Sequence, residues 1–317
     1  MKILFAAVFV LLIVFAALIA FTYWQSSAIE ARYPPAGSSV EIDGRDLHFL
    51  DMADADDADL PPILFVHGAS GNLLDQALAY RETLEGRARL VFVDRPGHGY
   101  SGRNDADATI AGQGKAYADL LTEIGVEKAV VVCHSMGCAS AAAMAVLYPE
   151  KVAGLVFVAP ATHPWPGGVS WHYDVAAMPY FGWLFTRAIS LPAGMVRLKG
   201  GVDSVFTPNS PPVGYSEDSA VSLVLRPHQF RANGIDVATL NQQVRAMQKR
   251  YSEIKKPTII ITGNKDDVVF AEIHSIGLER DIEGSKLIVL DGIGHKPDYE
   301  ATDVVVKAIE EVSGLAR

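Results

Sequence analysis

Cysteine is nearly missing from this chain: 317 residues include two, Cys133 and Cys138. So few thiols exclude a disulfide framework. No His, Cys or carboxylate group shows metal-ligand spacing, so neither a metal nor another cofactor is expected. The two cysteines flank one turn that is expected to point their side chains apart, and they read as two small packed residues rather than a bridge. Basic residues are also short, 27 Lys+Arg against 37 Asp+Glu, for a formal net charge of −10. With no basic block, nucleic acid is excluded as a partner. Internal repeats and low-complexity tracts are lacking. Half of the residues are hydrophobic, enough for a sizeable core in one large α/β domain with an inserted piece.

What the chain does have, at its start, is a long uncharged run. Ile3 to Phe21 holds no charge and no proline; its length of about 19 residues is close to what crosses a hydrocarbon core. Tyr23 and Trp24 follow, where an interfacial aromatic belt would sit. Lys2 and the amino terminus precede the run, while Glu30 and Arg32 cancel after it. The positive-inside rule then leaves the N-terminus in the cytoplasm and the main domain on the other side. Residues 1–24 therefore read as a membrane anchor and 25–38 as a linker, with Tyr33-Pro34-Pro35-Ala36-Gly37 inside it. The rival reading is a signal peptide cut near Ser26-Ser27-Ala28, which would release a secreted protein. The run exceeds the usual apolar region of such peptides, about 7–15 residues, and this favours the anchor.

Beyond the linker the pattern changes to short apolar runs alternating with helical stretches. Ser39 to Ile42 and Asp46 to Leu50 alternate around Asp43-Gly44, the form of a hairpin. Asp51 to Leu60 reads as an acidic loop. Ile63–Val66, Leu90–Val93, Val130–Cys133, Val152–Val158, Thr258–Thr262 and Leu287–Leu290 are continuous apolar runs of the buried-strand type. Between them Thr109–Ile124, Ala139–Leu147, Val237–Tyr251 and Ala301–Val312 have helical spacing. This alternation predicts a mostly parallel, doubly wound α/β sheet covered on both faces. It breaks at residues 161–232, rich in proline, glycine and aromatics such as Trp165, Trp171, Tyr180, Phe181 and Trp183. That segment reads as a helical cap inserted between two parts of the core, 39–160 and 233–317.

The chemistry centres on Val130-Val131-Val132-Cys133-His134-Ser135-Met136-Gly137. A buried strand stops at a small residue, presents one serine and turns into a small-residue helix, which is the form of a nucleophile elbow. Cys133 stands where the G-x-S-x-G pattern has its first glycine. Asp266, after Gly263, and His295, after Gly294, also follow strands at the carboxyl end of the sheet, where sites in open α/β sheets form. An imidazole can take the serine proton near neutral pH, and a carboxylate orients that imidazole. Asp267 adjoins Asp266, but the spacing from Gly263 favours Asp266; the other aspartate can cap the next helix.

With His67-Gly68, Asp94-Arg95-Pro96-Gly97-His98-Gly99-Tyr100-Ser101, the Ser135 elbow, Gly263-x-x-Asp266 and Gly294-His295 in this order, the chain resembles the α/β-hydrolase superfamily beyond the anchor. The resemblance implies Ser135 as nucleophile, Asp266 as acid and His295 as base. It implies an oxyanion hole from the backbone N–H groups of Ala69 and Met136. His67 and His98 read as structural hydrogen-bonders in glycine loops, and His134 as packed away from the cleft. His163 and His172, in the insertion, could touch substrate, but the surface is the favoured placement. A serine at the elbow argues against the haloalkane dehalogenases and epoxide hydrolases of that superfamily, which use aspartate there. The expected reaction is hydrolysis of a small apolar or lipid-like ester through an acyl-enzyme. Cleavage of a carbon–carbon bond or a cofactor-free perhydrolase reaction is the alternative on the same side chains. A non-catalytic binding protein is the alternative from another class.

Overall fold

The β-branched runs become strands. In the computed structural model, which describes residues 1–53 and 58–316, they are β1 (Ser38–Ile42), β2 (Arg45–Met52), β3 (Ile63–Val66), β4 (Leu90–Val93), β5 (Ala129–His134), β6 (Val152–Val158), β7 (Thr258–Gly263) and β8 (Lys286–Leu290). They form one sheet in the order β1-β2-β4-β3-β5-β6-β7-β8. The β1–β2 and β2–β4 pairs are antiparallel and the other pairs parallel. Asp43 and Gly44, with φ of 52° and 75°, make the first hairpin, since a two-residue turn matching strand twist needs φ > 0 at both positions.

The helices are α1 (Lys2–Arg32), α2 (Leu73–Leu84), α3 (Ile110–Glu123), α4 (Gly137–Leu147), α5 (Trp171–Ala177), α6 (Pro179–Ala188), α7 (Ser190–Phe206), α8 (Tyr215–Asp218), α9 (Pro227–Met247), α10 (Ser275–Asp281), α11 (Pro297–Glu300) and α12 (Thr302–Leu315). Successive strand residues point to opposite faces. Leu64, Val66, Val131 and Cys133 therefore pack with Tyr117, Leu121 and Met144 on one side. Ile63, Phe65, Val130 and Val132 pack with Tyr80, Val305 and Ile309 on the other. Burial on both faces is why these strands carry no polar alternation.

Strand β3 lies between β4 and β5, so the chain leaves it on one side and returns on the other. At such a switch point the loops at the strand ends part and open a crevice. Val66 pairs with Cys133, so the loop after β3 and the turn after β5 leave the sheet side by side.

The structure revises five expectations. Helix α1 does not end at residue 24. It runs to Arg32 because Thr22, Ser26 and Ile29 repeat at helical spacing and are buried, and it stops ahead of Pro34-Pro35, where proline disfavours helix. The linker is thus only Tyr33–Gly37. The expected helix at Val237 starts ten residues earlier, at Pro227, with proline in the first turn where its missing N–H costs nothing; the expected boundary at 232/233 falls inside α9. Of the acidic loop, Asp51 and Met52 extend β2, and residues 54–57 lie outside the described residues. His163 is buried, not at the surface, bonding Asp281 at 3.1 Å through Nε2. Finally, Cys133 and Cys138 are joined as a disulfide. The chain reversal at Ser135 brings their Cα atoms to 5.0 Å, within the range a disulfide spans.

Candidate active site

The turn after β5 carries a strained serine. Ser135 has φ of 52°, a left-handed conformation that non-glycine residues adopt at a cost of order 1–3 kcal/mol and that clusters at functional sites. Three contacts hold it: Ser135 N–H donates to Val158 O at 3.0 Å, and the Cys138 and Ala161 N–H groups each donate to Ser135 O at 3.1 Å. Close packing then dictates the neighbour. A Cβ on Gly137 would overlap the carbonyl oxygens of His67 and Val66, so only glycine lets α4 begin against the β3 loop.

Three distant side chains meet above this turn. Ser135 Oγ lies 2.9 Å from His295 Nε2, and His295 Nδ1 lies 2.7 Å from Asp266 Oδ2. A carboxylate only accepts, so Nδ1 carries the proton toward Asp266 and leaves the Nε2 lone pair for the serine hydroxyl. Asp266 Oδ1 accepts the N–H groups of Val268 at 2.9 Å and Val269 at 2.8 Å, which fixes the carboxylate plane. It is Asp266 that is buried, while Asp267 is exposed and bonds neither the imidazole nor the following turn. Ser135, His295 and Asp266 are 7%, 3% and 5% exposed, so the relay is largely shielded from bulk water.

Beside it are two unused donors. Among the described residues, neither the Ala69 nor the Met136 N–H has an acceptor. The loop bearing Ala69 is held from several sides. His67 Nδ1–H donates to Gly68 O at 2.8 Å, and His67 Nε2 accepts from Arg95 N–H at 3.0 Å. Burial and the Arg95 charge lower the His67 pKa to about 3, so the ring stays neutral and keeps this tautomer. Arg95 also donates to Gly68 O at 3.0 Å and pairs with buried Asp236 of α9. Asn233, one turn earlier on α9, takes the Ser70 N–H at 2.8 Å and donates to Ser70 Oγ at 3.0 Å. These α9 residues were invisible as site residues in the sequence. Their signal is three-dimensional: polar groups at helical spacing, Gln229, Asn233 and Asp236, face the core rather than solvent.

Sequence reasoning also missed a buried charge cluster behind the imidazole. Lys296, next to His295 and 2% exposed, places Nζ 3.1 Å from both oxygens of Asp75 and 2.9 Å from Asp298 Oδ2. Tyr215 from the inserted segment donates to Asp75 Oδ1 at 2.8 Å, and Tyr299 donates to Asp75 O at 2.6 Å. Burial, the largest single influence, would raise the Asp75 pKa, but the attraction of Lys296 and His134 and the hydrogen bonds from Tyr215 and Lys296 together outweigh it and bring it to about 2. His134 Nε2–H donates to His295 O at 2.9 Å. Burial, aided by Lys296, lowers the His134 pKa to about 4, so it supports His295 as a neutral donor, its ring 4.8 Å from the His295 ring. The oxygens of Asp75 and Asp298 and a His134 nitrogen lie within 4.8 Å of one another, a spacing that can hold a cation; the Lys296 ammonium fills that role between the carboxylates.

Next to Ser135, the Met136 side chain joins an apolar cluster. Met136, Ala161, Leu240 and Val269 form one cluster with Ala69, Trp165 and Val237 against it. Arg95 and Arg103 are both paired to Asp236.

With this geometry in view, the chain belongs to the α/β-hydrolase fold family: the family model described as alpha/beta hydrolase fold matches residues 61–301. Among curated proteins, it is 39% identical over 98 residues to the dihydrolipoyllysine-residue acetyltransferase component of an acetoin cleaving system from Cupriavidus necator, a match covering 31% of this chain and 26% of that protein. It is 26% identical over 275 residues to a 2-hydroxy-6-oxononadienedioate/2-hydroxy-6-oxononatrienedioate hydrolase of Burkholderia vietnamiensis, covering 83% of this chain and 89% of the relative. Among solved structures, a membrane phospholipase A described as a bacterial virulence factor superposes with a TM-score of 0.64 at 20% identity, covering 98% of this chain and 99% of that one.

Proposed function

We propose that this protein is a membrane-anchored serine hydrolase that cleaves a carboxylic ester of an apolar or lipid-like molecule. The observation that carries the reading is the continuous relay from Asp266 through His295 to a left-handed Ser135 beside two unused N–H donors. Ser135 Oγ attacks the ester carbonyl while its proton passes to His295 Nε2. The tetrahedral oxyanion is held by the Met136 and Ala69 N–H groups, and loss of one such donor costs about 10²–10³ in rate. Collapse expels the alcohol, which takes the proton from His295. Water, deprotonated by the same nitrogen, then attacks the acyl-enzyme, and the acid is released as the bond to Ser135 Oγ breaks and His295 returns the proton to that oxygen. Asp266 stabilises the imidazolium throughout. No metal or cofactor takes part in these steps. The segment 161–232 serves as a cap over the serine, with Trp165 and α9 contributing to the apolar cluster.

A second reading, hydrolysis of a carbon–carbon bond in an oxo-acid, is favoured by the name of the relative from Burkholderia vietnamiensis. Its named substrates are dianions, which need cations in the pocket. The cluster beside Ser135 is apolar and both nearby arginines are committed to Asp236, so the ester is the better fit.

The test is a fluorophosphonate probe followed by a panel of acyl esters and a β-diketone. Labelling that disappears in Ser135→Ala, with turnover rising along the acyl series, supports the ester hydrolase. Turnover of the diketone alone supports the second reading. Folded protein that takes no label would defeat both and leave a binding protein.

A further inference from the structure

The insertion carries an exposed face that α1 covers only at one end. On α6, Tyr180, Trp183, Leu184 and Arg187 follow at i, i+3, i+4 and i+7, so they share one side of the helix. Tyr180 is 88% exposed and the adjacent Phe181 72%. Trp171 of α5 and Met195 and Val196 of α7 extend the apolar exposure. Exposed large apolar side chains gathered on one part of a domain mark an interaction site.

The charge on this stretch runs against the rest of the chain. From Val175 through Val202 there is no aspartate or glutamate, while Arg187 and Arg197 are present and Lys199 pairs with Asp203 just beyond the stretch, in a protein of formal net charge −10. Arg187 lies over the Trp183 ring at 4.3 Å. An aromatic and basic helix face is the composition that settles at the boundary between lipid headgroups and acyl chains.

Position supplies the occupant. The exposed apolar part of α1 ends near Phe21, and the buried residues of α1 begin at Thr22. From there α1 packs on α6, and the Arg187 guanidinium donates to the Tyr23 hydroxyl at 3.3 Å. The α6 face thus starts where α1 would leave the hydrocarbon. A second copy of this chain is a poorer occupant. In a two-fold contact the same patch meets itself, which would bring Arg187 and Arg197 of each copy together.

We propose that the exposed face of α6, with its flanks on α5 and α7, rests in the headgroup layer of the same bilayer that α1 crosses, its partner being an anionic lipid surface. This rests on the anchor reading of α1 and deepens it: the cap sits on the membrane, and the ester is drawn from the bilayer rather than from water.

The experiment uses the full chain in nanodiscs of three parts phosphatidylcholine to one part phosphatidylglycerol, with acyl chains brominated near the headgroup. In Trp24→Phe, the fluorescence that remains comes from Trp165, Trp171 and Trp183. Brominated lipid is expected to quench it by about a third or more, as for rings buried about 5–10 Å into the boundary. Adding Trp171→Phe and Trp183→Phe is expected to remove that quenching. A Tyr180→Glu, Phe181→Glu variant is expected to lose about tenfold in turnover of a bilayer-dispersed ester and to stay within about twofold on a short water-soluble ester. Protein that stays with the nanodisc while its cap tryptophans are not quenched overturns the proposal and spares the anchor. Protein that separates from the nanodisc overturns both. A detergent-solubilised dimer dissociated by Phe181→Glu would instead assign the face to a second copy, and also overturns it.

Discussion

Replacing Lys296 with methionine tests whether the cluster behind the imidazole is held by charge. Methionine keeps most of the stem and removes the ammonium, leaving Asp75 and Asp298 buried without their shared cation. Breaking a buried pair by removing one partner costs about 3–5 kcal/mol, because an uncompensated charge remains. In the native protein the Asp75 pKa is held at about 2, so this carboxylate strengthens folding above the unfolded value of about 3.9 and loses that contribution only in strong acid. In Lys296→Met the sign reverses. Burial and the neighbouring carboxylate raise the folded Asp75 value above the unfolded one. Such a group favours folding at low pH and loses that contribution as pH rises through the raised value. The gap between native and variant protein is therefore about 3–5 kcal/mol near pH 8 and smaller near pH 5. Urea unfolding of the full chain in detergent, followed by tryptophan fluorescence at both pH values, measures it. A loss below about 1 kcal/mol, or a gap of equal size at both pH values, refutes the reasoning.

Two further outcomes follow from the site. Asp266→Asn keeps the shape but removes the charge that selects the His295 tautomer, so kcat falls by about 10⁴. Asp267→Asn, at an exposed side chain outside the relay, changes kcat by less than about twofold; esterase kinetics on the two variants separate the neighbours, and equal losses would undo the assignment. Burial lowers the pKa of His67 to about 3 and of His134 and His274 to about 4. As pH falls through about 6.5 the unfolded chain takes up protons that these folded rings refuse, so stability falls between about pH 6.5 and 4 by about 1.4 kcal/mol per pH unit for each ring. Urea midpoints that stay flat across that window would contradict it.

Much of this molecule is legible in one dimension because its elements are locally consistent. Strands buried on both faces appear as uninterrupted β-branched runs, and the elbow appears as a serine between a strand and a helix of alanines. The order of Ser135, Asp266 and His295, each just past a strand, already suggests convergence, since parallel strands end on the same edge. Local pattern fails where a residue is placed by a distant partner. Helix α1 continues past Trp24 because Ser26 and Ile29 find a surface on the insertion, and nothing in Gln25–Arg32 announces that surface. Pro227 opens α9, whose Asn233 bonds Ser70 in the loop of Ala69 and whose Asp236 pairs with Arg95, which in turn donates to Gly68 O.

The amino-acid order by itself determined the sheet, the family and which serine, aspartate and histidine are candidates, because periodicity and turn chemistry are local. Only the tertiary structure decided that Cys133 and Cys138 close a bridge across the elbow, that Asn233 of α9 braces the loop of Ala69, and that Lys296 lies between two carboxylates. Each of these depends on distances between chain segments brought together by folding, and such distances leave no mark on the composition or spacing of either segment alone.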